Sequence, residues 1–214
     1  MMRRTLLFVL FSLAQVFMGS AEKISKGQFN RAVTSCGAPP PADDVYHHFA
    51  EATKDFSKEE LAMFLAQLIH ESGGFQFREE IACRETHCPG QYVDNVGLPG
   101  KHYYGRGFIQ LTWGANYKAA SQGLGMGDYL LQNPEVVAKD TKIAVLVSVW
   151  YWKERVRPVV GDSNKFGLTT KAINGALECS GGWNEQAANR YQYYLKVADA
   201  LGVKNKASES GCYN

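Results

Sequence analysis

The chain has 214 residues, 23 Lys and Arg against 21 Asp and Glu, and five cysteines. A formal net charge of +2 supplies no general electrostatic reason to bind nucleic acid or an anionic membrane, so a neutral polymer is the better expectation for a partner. About 190 residues remain once an N-terminal leader is set aside, enough for one domain with a sizeable core.

That leader is the first element in chain order. Arg3 and Arg4, an apolar run from Leu6 to Phe17 and the small residues Gly19-Ser20-Ala21 read as a secretory signal peptide over residues 1–21. The apolar run is shorter than the ~20 residues of a membrane helix. The mature chain then begins near Glu22. It loses two arginines and no acids, which brings its charge close to zero.

A short helix is predicted over Lys26 to Thr34, capped by Ser25. Pro39-Pro40-Pro41 breaks the chain, and a second helix covers Ala42 to Thr53. Ser57-Lys58-Glu59-Glu60 has the form of a capping box. Leu61, Phe64, Leu65, Leu68 and Ile69 follow at helical spacing until Ser72-Gly73-Gly74. Phe75 to Lys101 reads as a polar loop, and Tyr103-Tyr104-Gly105-Arg106-Gly107 as a glycine-rich turn. Phe108 to Trp113 alternates like a short strand, with Phe108, Gln110 and Thr112 facing one way and Ile109, Leu111 and Trp113 the other. Thr141 to Trp152 is apolar on nearly every side, as a buried helix would be, although periodicity leaves a valine-rich strand open. Glu185 to Leu201 is the last long helix. The expected fold class is mainly α, with a small β element.

The cysteines are Cys36, Cys83, Cys88, Cys179 and Cys212. In a secreted chain they are expected as disulfides, one being left over. Cys83, His87 and Cys88 are too cramped for a zinc cluster and have no second ligand pair, which favours a small disulfide loop.

Two carboxyl groups carry the functional argument, because glycosidic hydrolysis commonly needs one to give a proton and one to activate water. Glu71 sits three and seven positions after Leu68 and Phe64, on the core-facing stripe and at the negative end of its helix. Desolvation and the dipole should both raise its pKa, as a general acid requires. Glu80, in a charged segment with Glu79 and Glu85 as competitors, is expected to be exposed and ionised. Gln110, Thr112 and Asn116 suit contact with an N-acetyl sugar. Asn174 and Glu178 share a helix face. Arg190, on the edge of an apolar face, needs a partner that Glu178 can supply. A nucleotide-binding glycine motif, a zinc-protease motif and a serine-hydrolase elbow are all missing from the sequence.

Three segments, His70-Glu71-Ser72-Gly73-Gly74, Tyr103 to Trp113, and Ile173-Asn174-Gly175-Ala176-Leu177-Glu178-Cys179, make the chain resemble glycoside hydrolase family 19 chitinases. The likeness covers roughly Leu61 to Cys212. It departs from the family at Phe108 (often Pro), Ala176 (often Gly) and Ile81 (Gln after the base), and in a shorter loop before Tyr103. The resemblance implies a lysozyme-like, two-lobed helical domain over 22–214 with a substrate cleft. It also implies inverting, endo-acting hydrolysis of chitin or chitooligosaccharides without metal or cofactor. Glu71 would be the acid, Glu80 the base and Thr112 the water-holding residue. His70, Tyr103, Gln110, Trp113, Asn116 and Asn174 would contact substrate, with Glu178 and Arg190 tuning the acid. The implied C-terminal disulfide is Cys179–Cys212. A secreted, extracellular monomer is expected. The alternatives are peptidoglycan as substrate, or a non-catalytic chitin-binding or antifungal protein.

Overall fold

The structure is a computed structural model that describes residues 23–214; the proposed signal peptide lies outside the described residues. Among the described residues ten α-helices follow one another: α1 (Lys26–Ser35), α2 (Asp43–Ala52), α3 (Lys58–Ser72), α4 (Gly114–Gly123), α5 (Tyr129–Gln132), α6 (Val136–Lys139), α7 (Thr141–Tyr151), α8 (Arg157–Val160), α9 (Gly167–Glu178) and α10 (Glu185–Leu201). A π-helical turn, Trp152–Val156, joins α7 to α8. No helix among the described residues is long and apolar enough to cross a membrane.

Helix α3 is the axis of the fold. Every residue from Leu61 to Ile69 is buried, including the polar Gln67. A helix apolar all round must be enclosed by others. Helix α10 packs along it, α1 packs on α10, and α2 lies against α7. Phe49, Phe56 and Trp152 surround Phe64 with ring centroids 5.1–5.7 Å away.

The caps explain where the helices begin. Ser25 and Gln28 form a reciprocal capping box on α1. On α3 only half of the expected box exists. Ser57 accepts from the Glu60 N–H at 3.1 Å, but the Glu60 carboxylate turns away to accept from the Trp152 indole and the Arg157 guanidinium, each at 2.8 Å. The π turn makes this possible: the Arg157 N–H bonds to the Trp152 carbonyl five residues back, stacking the two side chains over Glu60. Pro158, at the start of α8, has no N–H to continue a regular helix.

The predicted strand from Phe108 to Trp113 is not formed. Arg106 and Leu111 exchange two backbone hydrogen bonds, and residues 107–110 make the tight turn between them. Gly107 at φ +75° and Gln110 at φ +54° bend the backbone left-handed, which a strand cannot contain. Only isolated β-bridges occur among the described residues. Helix α4 escapes the periodicity reading because it opens on glycine and is rich in small and polar residues. Its N-terminus is capped from a distance: Asp94 Oδ2 accepts from the Ala115 N–H at 2.8 Å, while Oδ1 accepts from Val96 and Gly97.

Cys83–Cys88 and Cys179–Cys212 are disulfides, and Cys36 is free and half-buried.

Candidate active site

A cleft of about 1030 Å³ is lined on one side by the end of α3, Tyr151 and α9, and on the other by the 75–101 loop and the 105–116 segment. It brings together His70, Glu71, Glu80, Gln110, Thr112, Trp113, Asn116 and Asn174.

Glu71 stands in the last turn of α3 with 15% of its side chain exposed, where it borders the cleft. Arg190 reaches it from α10 at 2.5 Å. The same guanidinium is held by Glu178 through a bidentate pair at 2.8 and 2.7 Å and by Gln67 Oε1 at 2.8 Å. Gln67 in turn donates to Thr169 and Thr170 on α9. Four of the five guanidinium donors are thereby hydrogen-bonded, as buried arginine requires. Burial pushes the Glu71 carboxyl above its ordinary range; Arg190 opposes this and the Glu178 carboxylate reinforces it. Burial acts to raise Glu178 as well, but its bonds from Arg190 and Asn174 hold it below the usual carboxylate range. The arrangement thus concentrates negative charge on Glu178 and favours a proton on Glu71. His70, depressed to about 4 by burial and by Arg190, is a neutral imidazole at neutral pH.

Glu80 faces the same cleft from a different setting. Its own N–H bonds to the Gly105 carbonyl at 2.8 Å, and its Oε2 accepts from the Gly105 N–H at 3.1 Å. Tyr92 donates its hydroxyl to Oε1 at 2.8 Å. A Cβ at Gly105 would stand 2.9 Å from Gln110 Oε1 and 3.5 Å from Glu80 Cβ, so glycine is what lets these chains converge. Glu80 is half-buried and hydrogen-bonded rather than freely exposed. Its neighbour Glu79 also lines the cleft but has other partners: Tyr104 donates to it at 2.9 Å, and Arg106 lies 3.8 Å away. Glu85 is exposed and does not line the cleft.

The Thr112 hydroxyl donates to the Gln110 carbonyl at 2.7 Å, which leaves its oxygen lone pairs for a donor in the cleft. Asn116 Nδ2 donates to the Thr112 carbonyl at 2.9 Å, and Asn174 Nδ2 to Glu178 Oε1 at 2.7 Å. Asn174 leaves helical geometry at φ −140°, ψ 33°, a kink in α9 beside the cleft. The facing differs from a strand's alternation. Phe108 is fully buried, edge-on to Phe75 at 4.9 Å, while Ile109 and Trp113 line the cleft.

Tyr103 does not belong to the site. It is 3% exposed, donates to the Leu131 carbonyl at 2.8 Å and accepts from the Leu98 N–H, so it braces the loop from within the core. The sequence motifs do not include Tyr92, Tyr151 or Gln67. Tyr92 and Tyr151 gave no signal, since long loops and helix ends decide their placement. Gln67 did give one: a lone amide inside an otherwise apolar buried helix must have partners.

The chain is similar to known proteins over most of its length. The family described as chitinase class I, glycoside hydrolase family 19, matches over residues 41–160. An Arabidopsis thaliana endochitinase is 40% identical over 86% of this chain and 66% of its own length. A second from that plant, endochitinase EP3, is 38% identical over 85% of this chain and 69% of its own. The chain therefore spans about two thirds of the length of these relatives. Among solved structures, chitinase C from Streptomyces griseus superposes with a TM-score of 0.73 at 31% identity, covering 90% of this chain and 82% of that one. With its helical, lysozyme-like fold and these matches, the chain belongs to glycoside hydrolase family 19.

Proposed function

We propose that the protein is a secreted, endo-acting chitinase that hydrolyses β-1,4-linked N-acetylglucosamine polymers with inversion. The observation that carries this reading is a cleft in which Glu71, on the Arg190–Glu178 network, and Glu80, on Tyr92 and Gly105, stand in contrasting settings, while the third lining carboxylate, Glu79, is held by Tyr104. The relatives named as endochitinases support the substrate and the endo mode.

In this reading Glu71 gives its proton to the glycosidic oxygen as the bond to the anomeric carbon breaks. A water attacks that carbon from the opposite face and passes one proton to Glu80. The second water proton is donated to the Thr112 oxygen, whose own hydrogen is already committed to Gln110. Two bonded sides leave the water lone pair aimed at the sugar. An inverting pair needs room for that water, with carboxyl groups ~6.5–9.5 Å apart. The amides of Gln110, Asn116 and Asn174 would bind N-acetyl and hydroxyl groups, and Trp113, 44% exposed, would stack on a sugar face.

The test is release of reducing ends from soluble chitin oligomers and from peptidoglycan. The expected result is turnover of chitin oligomers, with Glu71→Gln reducing kcat by ~10²–10⁴-fold and leaving binding largely intact. Turnover of peptidoglycan alone would move the substrate; turnover of neither would favour a binding protein.

A further inference from the structure

Behind His70, on the far side from the catalytic carboxyl groups, lies a second recess of about 360 Å³. It shares the lining residues His70 and Gly73 with the cleft, so the two recesses adjoin at the end of α3. Its walls carry polar groups without charge. Gln186, Asn189 and Tyr193 occupy one face of α10 at helical spacing, with Gln76 and the free Cys36 opposite. Neither amide of Gln186 and Asn189, nor the Tyr193 hydroxyl, nor either His70 nitrogen has a hydrogen-bond partner among the described residues. Gln76 spends its Nε2 on the Gly73 carbonyl at 2.7 Å and keeps its carbonyl oxygen. The His70 and Tyr193 rings stand 6.0 Å apart and close one end.

Neutral donors and acceptors beside an aromatic face match an amino sugar bearing hydroxyl and acetamide groups, with the Lys196 ammonium 6.0 Å from the Tyr193 ring as the nearby charge. The volume is at the lower end of ligand sites, ~300–1,000 Å³, which suits one sugar unit rather than a chain. The geometry points to an accessory subsite for a single uncharged N-acetylamino sugar unit, reached from the cleft past His70. This rests on the chitinase reading for the identity of the polymer, and it extends the path of a long substrate beyond the catalytic pair.

Cys36 makes the recess directly testable, because it is the one unpaired cysteine among the described residues and lines this wall. In the Glu71→Gln protein, modification of Cys36 by N-ethylmaleimide is followed with and without chitohexaose. Hexaose at about four times its dissociation constant should slow labelling about fivefold. The double variant Gln186→Ala/Asn189→Ala, made in the same background, should lose that protection while its melting temperature stays unchanged. An unchanged labelling rate with hexaose bound would overturn the subsite, and so would protection that survives the double substitution. Either result leaves the chitinase reading to be decided separately, by turnover in the wild-type protein.

Discussion

Replacing Glu178 by Gln would leave Arg190 facing Glu71 with no competing carboxylate. Glu178 raises the Glu71 pKa, and Arg190 lowers it. Removing the first and freeing the second should therefore lower it. An acid works only while protonated, so activity falls as pH rises through the Glu71 pKa. Glu178→Gln should move the alkaline limb of the kcat–pH profile to lower pH, which a pH series on chitin oligomers would show. An unmoved limb would detach Glu178 from the acid. At Glu80 the hydrogen bonds discriminate between adjacent carboxylates: Glu80→Gln should remove most turnover, by ~10²-fold or more. Glu79→Gln should lose far less, because Glu79 serves Tyr104 and lies beside Arg106. Much of the Glu71 setting was legible in the chain, since helical spacing puts it on the Leu68 face and a buried arginine demands a partner. The Glu80 setting was not. Its donors, Tyr92 and Gly105, lie 12 and 25 positions away in the chain, and only the folded loop brings them to it.

The elements divide along the same physical line. Helices with strong caps and a clear apolar period, α1, α3 and α10, were readable to within a residue or two at each end. Helix α10 begins where Asn184 accepts from the Ala187 N–H at 3.1 Å, and it ends at Gly202 in left-handed geometry. Helix α4 and the 107–110 turn were not readable, because their local pattern is weak and remote groups hold them. Asp94 is the clearest such group. It lies about twenty residues before α4 and still caps it, so it fastens the loop that carries Glu80 and Tyr92 to the Trp113–Asn116 side of the cleft. Burial works against the Asp94 charge, yet the backbone N–H groups of Ala115, Gly97 and Val96 hold its pKa below the ordinary value. Its contribution is therefore present above the unfolded aspartate pKa and is lost as pH falls through the folded one. Asp94→Ala should cost about 1 kcal/mol, the usual value of a cap, readable by denaturant unfolding at neutral pH. The difference from wild type should shrink in acid.

At the scale of the molecule, the described residues form one large apolar core and a small cluster of Cys83, Cys88 and Tyr104, with a disulfide in the small cluster and another at the end of α9. Cys179–Cys212 closes 33 residues and joins the end of α9 to the C-terminal segment, beside the α9 residues that line the cleft. The chain-entropy relation gives about 3–4 kcal/mol for a loop of that size. Replacing both cysteines with serine should lower unfolding free energy by that order. The shorter Cys83–Cys88 loop should contribute less. The mainly helical class could be read from composition and pattern. The cleft could not, because its two walls are formed by segments that meet only once α3, α9 and α10 have packed. The central claim is a paired, single-step displacement by Glu71 and Glu80. It is tested most directly by proton NMR of the first reducing ends released by the wild-type protein from a β-linked chitin oligomer. The α-anomer appearing first, followed by slow mutarotation, is the result predicted. Initial β-anomer would mean retention and would contradict the account.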